Sequence, residues 1–261
     1  MSALSFKLET RALTSSERWS SWLQFCENTL DCPEFYCARE PLRNAVRRAY
    51  ESEDYPKVFD LVSEFRAAND VFHQQVSREL FNNKDVMGNL VGGSVVYLCA
   101  GVEFSAEFGS LVGSQGRLFL VDYAEATAAR LRREMAKHVH TSPNVHVINS
   151  PVQQIGDPNL HEYLLPGTIS MIVAIRGLHR VETSERIQTI NACKTLLKPG
   201  GVFCLIELFE DNRPASRKPT PGTWYWTISQ YKKALSPLQL VHDSGAVLDN
   251  QNDKNRLLVF R

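Results

Sequence analysis

The chain has 261 residues, 29 basic and 29 acidic side chains, a formal net charge of +0, and 43% hydrophobic residues. Such a chain can bury a substantial core, and its composition argues against disorder. The charge balance offers no general attraction to nucleic acid or an anionic membrane, and no apolar run approaches bilayer-spanning length. The opening residues Met1 to Lys7 lack the basic start and long apolar core of a secretion signal. A cytoplasmic location follows as the expectation, with no membrane partner and with nucleic acid an unfavoured one.

Residues 1–91 read as a helical segment. Ser15 and Ser16 precede Glu17, Arg18 and Trp19 as a capped helix start. Trp19, Trp22, Leu23 and Cys26 recur at helical spacing, and Pro33 interrupts the run. Leu42, Val46 and Ala49 suggest a second helix; Phe59, Leu61, Val62 and Phe65 a third; Val71, Phe72, Val76 and Leu80 a fourth. These helices offer a surface for a protein partner or for a homodimer. Cys26, Cys32 and Cys37 lie in this segment, and without an export signal they read as free thiols. Cys99, Cys193 and Cys204 read as small core residues, and no Cys-x-x-Cys pair or histidine cluster suggests a metal.

At Gly92-Gly93 the rhythm changes to strands alternating with helices, which predicts a mostly parallel sheet covered on both faces. Strands are expected at 94–99, 117–122, 145–149, 169–175 and 201–208. Helices are expected near 103–112, 124–138, 157–164 and 183–197. The tail reads as a helix over 224–235 and two strands, Leu238 to His242 and Leu257 to Phe260, joined by a turn-rich stretch.

Val95 to Leu98 forms an apolar strand, Cys99-Ala100-Gly101 a small-residue turn, and Arg117 to Val121 a second strand closed by Asp122. Strand, tight turn, helix, strand and acid is the grammar of a nucleotide-binding βαβ unit. Further on, Leu196-Leu197-Lys198-Pro199-Gly200-Gly201 precedes the fifth strand. From Gly92 to Arg261 the chain resembles the class I S-adenosylmethionine-dependent methyltransferases with a degenerate glycine-rich motif. The resemblance implies an α/β, Rossmann-like sheet, mostly parallel with a C-terminal antiparallel hairpin, over residues 92–261, and S-adenosylmethionine as cofactor.

The resemblance also assigns roles. The family's Gly-x-Gly-x-Gly turn falls on Cys99, Ala100, Gly101 and Glu103, and its strand acid falls on Tyr97. Glu103 either meets the charged amino-acid end of the cofactor or is an ordinary acid in a first helical turn. If the cofactor binds conventionally, Glu103 near its carboxylate opposes it, so weak or absent binding is expected of the natural sequence and tighter binding of Glu103→Gly. Asp122 either accepts the ribose hydroxyls or caps the following helix, and Tyr123 flanks the base. Where the family commonly carries an acid for the adenine amino group, this chain has Ser150 and Pro151, with Gln153 as a substitute acceptor. Ser170 stands where an acid commonly opens the fourth strand.

Arg176, His179 and Glu207 end strands at the crevice. His179 is a candidate general base or a packing residue at a helix start. Arg176 is a candidate cation for a substrate carboxylate or phosphate, or a partner of Glu207 or Glu182. Glu207 is a candidate to orient a substrate amine or hydroxyl. The polar loop 211–222 is a lid or a surface connection, and Trp224, Tyr225 and Trp226 line a pocket or pack in the core. Two functions follow: a methyltransferase acting on a small molecule, or a catalytically inactive protein of that fold serving as a binding or assembly partner.

Overall fold

In a computed structural model of the chain, the described residues are 75–83, 90–102, 104–138, 144–160, 162–213, 223–245, 247, 248 and 254–261, with isolated positions between 44 and 61. The chain forms two compact units, Met1–Ala68 and Asn69–Arg261. Cys26, Cys32, Cys37, Glu103, most of loop 211–222 and the first helix expected in the N-terminal segment lie outside the described residues. In the first unit, residues 44, 45, 48 and 49 are helical.

Among the described residues the second unit has eight strands: β1 (Ser94–Leu98), β2 (Arg117–Asp122), β3 (Val145–Asn149), β4 (Ile169–Ile175), β5 (Leu197–Leu208), β6 (Leu240–Asp243), β7 (Val247–Leu248) and β8 (Lys254–Phe260). They form one sheet in the order β3-β2-β1-β4-β5-β8-β6, with the short β7 also paired to β8. β1 to β5 run parallel, and β8 pairs antiparallel with β5, β6 and β7. A mostly parallel Rossmann-like sheet with an antiparallel C-terminal hairpin is thus what the chain folds into. The two-residue β7 was not foreseen, because it lies in a stretch rich in turn formers.

Full burial explains the uninterrupted apolar strands. Val95, Val96 and Leu98 in β1 and Met171 to Ala174 in β4 are all inaccessible to solvent. A strand covered on both faces cannot alternate apolar with polar. The sequence expected β5 to begin at residue 201, but pairing starts at Leu197, opposite Ile169, and resumes at Val202, opposite Met171. Lys198 to Gly201 bulge out between these two anchors. Gly200 sits at φ 74, where a side chain would be strained.

Four α-helices are described in this unit: α1 (Ser105–Val112), α2 (Glu125–Ala136), α3 (Thr183–Leu196) and α4 (Ile228–Leu235). In α3 the buried set is Arg186, Thr189, Ile190, Cys193 and Leu196, a single helical face. Thr227 and Gln230 cap the start of α4 reciprocally, side chain to backbone.

Two expectations need correction. Residues 157–164 hold only a 3-10 turn, Pro158–Leu160. Asp157 Oδ1 accepts the Asn159 amide at 2.8 Å, closing the chain into a local turn instead of a helix. Residues 224–227 are not helical either. Trp224 N donates to His179 O at 2.7 Å, which holds the segment against the loop after β4. Near the start of the unit, the helical periodicity through Val76 and Leu80 ends in a π-turn, Ser77–Phe81, and both side chains join the core that includes Tyr97 and Phe108.

Candidate active site at the carboxyl edge of the sheet

All five parallel strands end on one edge, where Asp122 closes β2 and Cys99, Ser150, Arg176 and Phe209 follow β1, β3, β4 and β5. The connections reverse between β1 and β4, and open α/β sheets place their ligand crevice at such a switch point. Cys99 takes φ 51, and Arg176, just past the end of the neighbouring β4, takes φ 52. Left-handed backbone costs a side-chain-bearing residue about 1–2 kcal/mol, and such residues concentrate at functional sites. Cys99 thus adopts the conformation that a glycine at this position of the family turn would hold without strain.

Gly177 makes room for this arrangement. A Cβ there would collide with Cys99 Cβ and stand 2.9 Å from its Sγ. Gly177→Ala is therefore expected to destabilise the fold by about 1–3 kcal/mol through overpacking. A melting experiment should show a fall of several degrees, and an unchanged melting temperature would refute the contact. The rest of the turn is tightly organised. Ala100 N donates to Val121 O at 3.0 Å, and Ser105 Oγ donates to Gly101 O at 2.7 Å. Burial, then the charges of Asp122 and Glu207, push the Cys99 thiol well above its ordinary value, so it stays protonated and unreactive.

Asp122 ends β2. Its Oδ1 accepts the Ala124 amide at 2.8 Å, and the Thr127 side chain also donates to it. Burial outweighs both donors and pushes its carboxyl up to about 7. The N-cap of α2 is Ala124, without a side-chain cap bond, so Asp122 closes a turn just before the helix and does not cap it. Tyr123 follows it and is 44% exposed at the rim. The loop is pinned by Asn149, whose Nδ2 donates to Asp122 O at 3.1 Å and Tyr123 O at 3.0 Å. Sequence reasoning passed over Asn149, although an amide ending a strand beside an acidic strand end is a readable signal.

After β3 the polar groups turn inward. Ser150 is buried; its amide donates to Asp122 O at 3.1 Å, and its Oγ lies 3.2 Å from Gln154 Oε1. Gln153 is half-buried, and its Nε2 donates to Glu185 Oε1 at 3.3 Å, leaving the amide oxygen as the acceptor.

Glu207 and His179 form a buried, hydrogen-bonded pair. Glu207 is 1% exposed. Its Oε1 accepts the Gly177 and Leu178 amides at 2.8 and 2.7 Å, and its Oε2 lies 2.7 Å from His179 Nδ1. Burial opposes the Glu207 charge, but His179, the Leu178 amide and Arg186 outweigh it and hold the carboxyl below its usual range. An ionised carboxylate only accepts, so His179 Nδ1 carries the proton and Nε2 carries the lone pair. Burial also lowers the His179 titration, against the pull of Glu207, so the imidazole is neutral near pH 7. Tyr225 stacks on the ring, centroids 5.6 Å apart and planes 12° apart. The structure thus brings His179 and Glu207 together, and the Glu207 oxygens are engaged by His179 and two amides. Arg176 is exposed at the mouth of the same loop.

Arg186 was missed altogether, because a charged helical residue reads as solvent-facing. It is wholly buried.

No protein-family model matches the chain, and no curated protein matches it in sequence. Solved structures do resemble it. An S-adenosylmethionine-dependent methyltransferase from Aquifex aeolicus shares 15% identity and a TM-score of 0.56, covering 76% of this chain and 96% of its own. The mitomycin 7-O-methyltransferase MmcR shares 14% identity and a TM-score of 0.57, covering 88% of this chain and 69% of its own. The PH0226 protein of Pyrococcus horikoshii shares 16% identity and a TM-score of 0.53, covering 72% and 88%. The chain carries the Rossmann-like fold of the class I S-adenosylmethionine-dependent methyltransferases.

Proposed function

We propose that the protein is a methyltransferase that binds S-adenosylmethionine beside Cys99, Ala100, Gly101 and Asp122 and methylates a nucleophile on a small molecule. The observation that carries this reading is the oriented His179–Glu207 pair next to the turn. The residues fit the cofactor: Asp122 is a part-buried carboxylate whose two donors do not offset its desolvation, and a ribose supplies two further hydroxyls. In this reading Tyr123 flanks the base, and the Gln153 amide oxygen accepts from an adenine amino group.

When bound, the cofactor supplies an electrophilic methyl group on sulfonium. The protein's own part is alignment and proton handling. His179 Nε2 takes the proton from the substrate's hydroxyl or amine as that atom is methylated. Glu207 holds the ring in the competent tautomer and stabilises the imidazolium that results. Arg176, exposed at the mouth, is suited to a substrate carboxylate or phosphate.

Ser150 points to the second reading, an inactive protein of this fold that serves as a binding or assembly partner. Its hydroxyl is turned to Gln154 where the family commonly offers an acid. One experiment separates the two. Calorimetry with S-adenosylhomocysteine should give saturable one-to-one binding, and thermal stability should rise with ligand concentration. Absence of both in a folded sample would overturn the enzyme reading and leave the partner role.

Among the described residues no helix is long and apolar enough to cross a membrane, and no group of acidic, histidine or cysteine side chains could hold a metal.

A further inference from the structure

We infer that Arg186 is a positioning residue for the proton-accepting pair: it balances the buried charge of Glu207 and ties together the two chain segments that flank His179. The inference rests on the reading of His179 as the base.

Arg186 lies on α3 with no exposed surface. Among the described residues no carboxylate forms an ion pair with it. Its Nη2 donates to Val181 O at 2.8 Å and Trp224 O at 2.5 Å, and its Nη1 donates to the Tyr231 hydroxyl at 3.4 Å. Its Nε has no partner. The guanidinium sits over the Trp226 ring, 4.6 Å from the centroid, and 5.9 Å from that of Tyr231. A buried cation held only by carbonyls, a phenol and aromatic faces is costly for stability alone, and an apolar residue of similar volume would pack there at less expense.

Its position supplies a reason. Val181 follows the turn that carries His179, and Trp224 is the residue whose amide bonds His179 O. One side chain therefore fixes both segments, and with them the Tyr225 ring on the imidazole. Arg186 is also among the charges that keep Glu207 ionised. With Arg186 positive and Glu207 negative, the carboxylate has a wholly buried counter-charge while His179 is neutral, with Arg180 as a further cation acting on it. Without Arg186 the carboxylate loses its wholly buried counter-charge and pulls harder on a proton at the imidazole, which disables the base. The other charged or titratable groups facing this cluster are Arg176 and Arg180 from the loop after β4, Asp122 and Cys99 from the strand ends, Tyr225 beside the ring and Tyr231 on α4.

The test is the His179 titration, followed by imidazole NMR in the full chain without cofactor or substrate. Arg186→Gln removes the charge yet keeps a donor for the carbonyls, and Arg186→Met removes both. In whichever of these folds, the titration should rise by about one pH unit, the size expected for losing a nearby charge. Arg186→Lys keeps the charge and should titrate like the natural protein, while the Tyr225 ring-current shift on His179 weakens as the carbonyl ties are lost. An unchanged titration in a folded charge-free variant would overturn the inference. If neither charge-free variant folds, the lysine variant decides: a retained titration supports the charge balance, and a full-unit rise refutes it. Because no cofactor is used, failure here is distinct from failure of the methyltransferase reading, which is judged by S-adenosylhomocysteine binding.

Discussion

Glu207→Gln is expected to lower kcat by roughly 10²–10⁴-fold on any acceptor the protein methylates, with cofactor affinity retained. The reasoning is geometric. Glu207 Oε1 receives two amides, from Gly177 and Leu178. A glutamine must keep its oxygen there, because an amide nitrogen would face two donors. Its NH2 group then points at His179 Nδ1, only 2.7 Å from the present carboxylate oxygen. A donor at that point forces the proton to Nε2 and the lone pair to Nδ1, so the nitrogen needed as base is blocked. The variant is nearly isosteric, so folding should survive. His179→Ala should fall comparably. For the natural protein, activity should decline as pH falls through a value below the usual histidine range, since burial depresses the His179 titration. Equal kcat for the natural protein and Glu207→Gln would remove His179 from the chemistry and return it to a packing role.

How much of this was legible in the sequence varies with the kind of signal. The parallel strands were readable because both faces are covered, and Val95 to Leu98 therefore carries no polar interruption. The start of β5 was not, because Leu197 pairs before the Lys198 to Gly201 bulge, and a glycine turn reads as the end of pairing. Leu160 and Leu164 are buried at helical spacing, yet Asp157 closes a local turn that the spacing alone does not reveal. The Trp224 to Trp226 stretch reads as helix from its aromatics, but a tertiary hydrogen bond to His179 decides otherwise. At the site, residue type and strand-end position singled out Asp122, His179 and Glu207. The pairing of the last two could not be read, since they lie 28 residues apart. Arg186 was invisible for a different reason: its environment is assembled from α3, the segment before α4, and α4 itself, and no local pattern announces a buried cation.

Asp122→Asn is expected to make the protein more stable and a poorer binder at the same time. Burial pushes the Asp122 carboxyl from its ordinary 3.8 up to about 7. A group raised in the folded state binds more protons there than in the unfolded chain. Stability therefore falls as pH rises from about 4 through about 7, and above that the ionised Asp122 is a standing cost. An asparagine carries no charge to desolvate, and its Oδ1 can still accept the Ala124 amide now held at 2.8 Å. So the melting temperature of Asp122→Asn should exceed that of the natural protein at pH 8, and the two should converge toward pH 4. Ligand binding should move the other way. A ribose diol donates two hydroxyls, which an ionised carboxylate receives and an amide receives only in part. S-adenosylhomocysteine affinity should rise between pH 6 and pH 8 in the natural protein as Asp122 ionises. In Asp122→Asn it should be weaker by about tenfold, the loss of one charged hydrogen bond, and should lack this increase. Calorimetry and thermal melting across that range check both halves. A variant that gains stability but binds as tightly as the natural protein would place the ribose away from Asp122 and leave that residue to the turn before α2 alone.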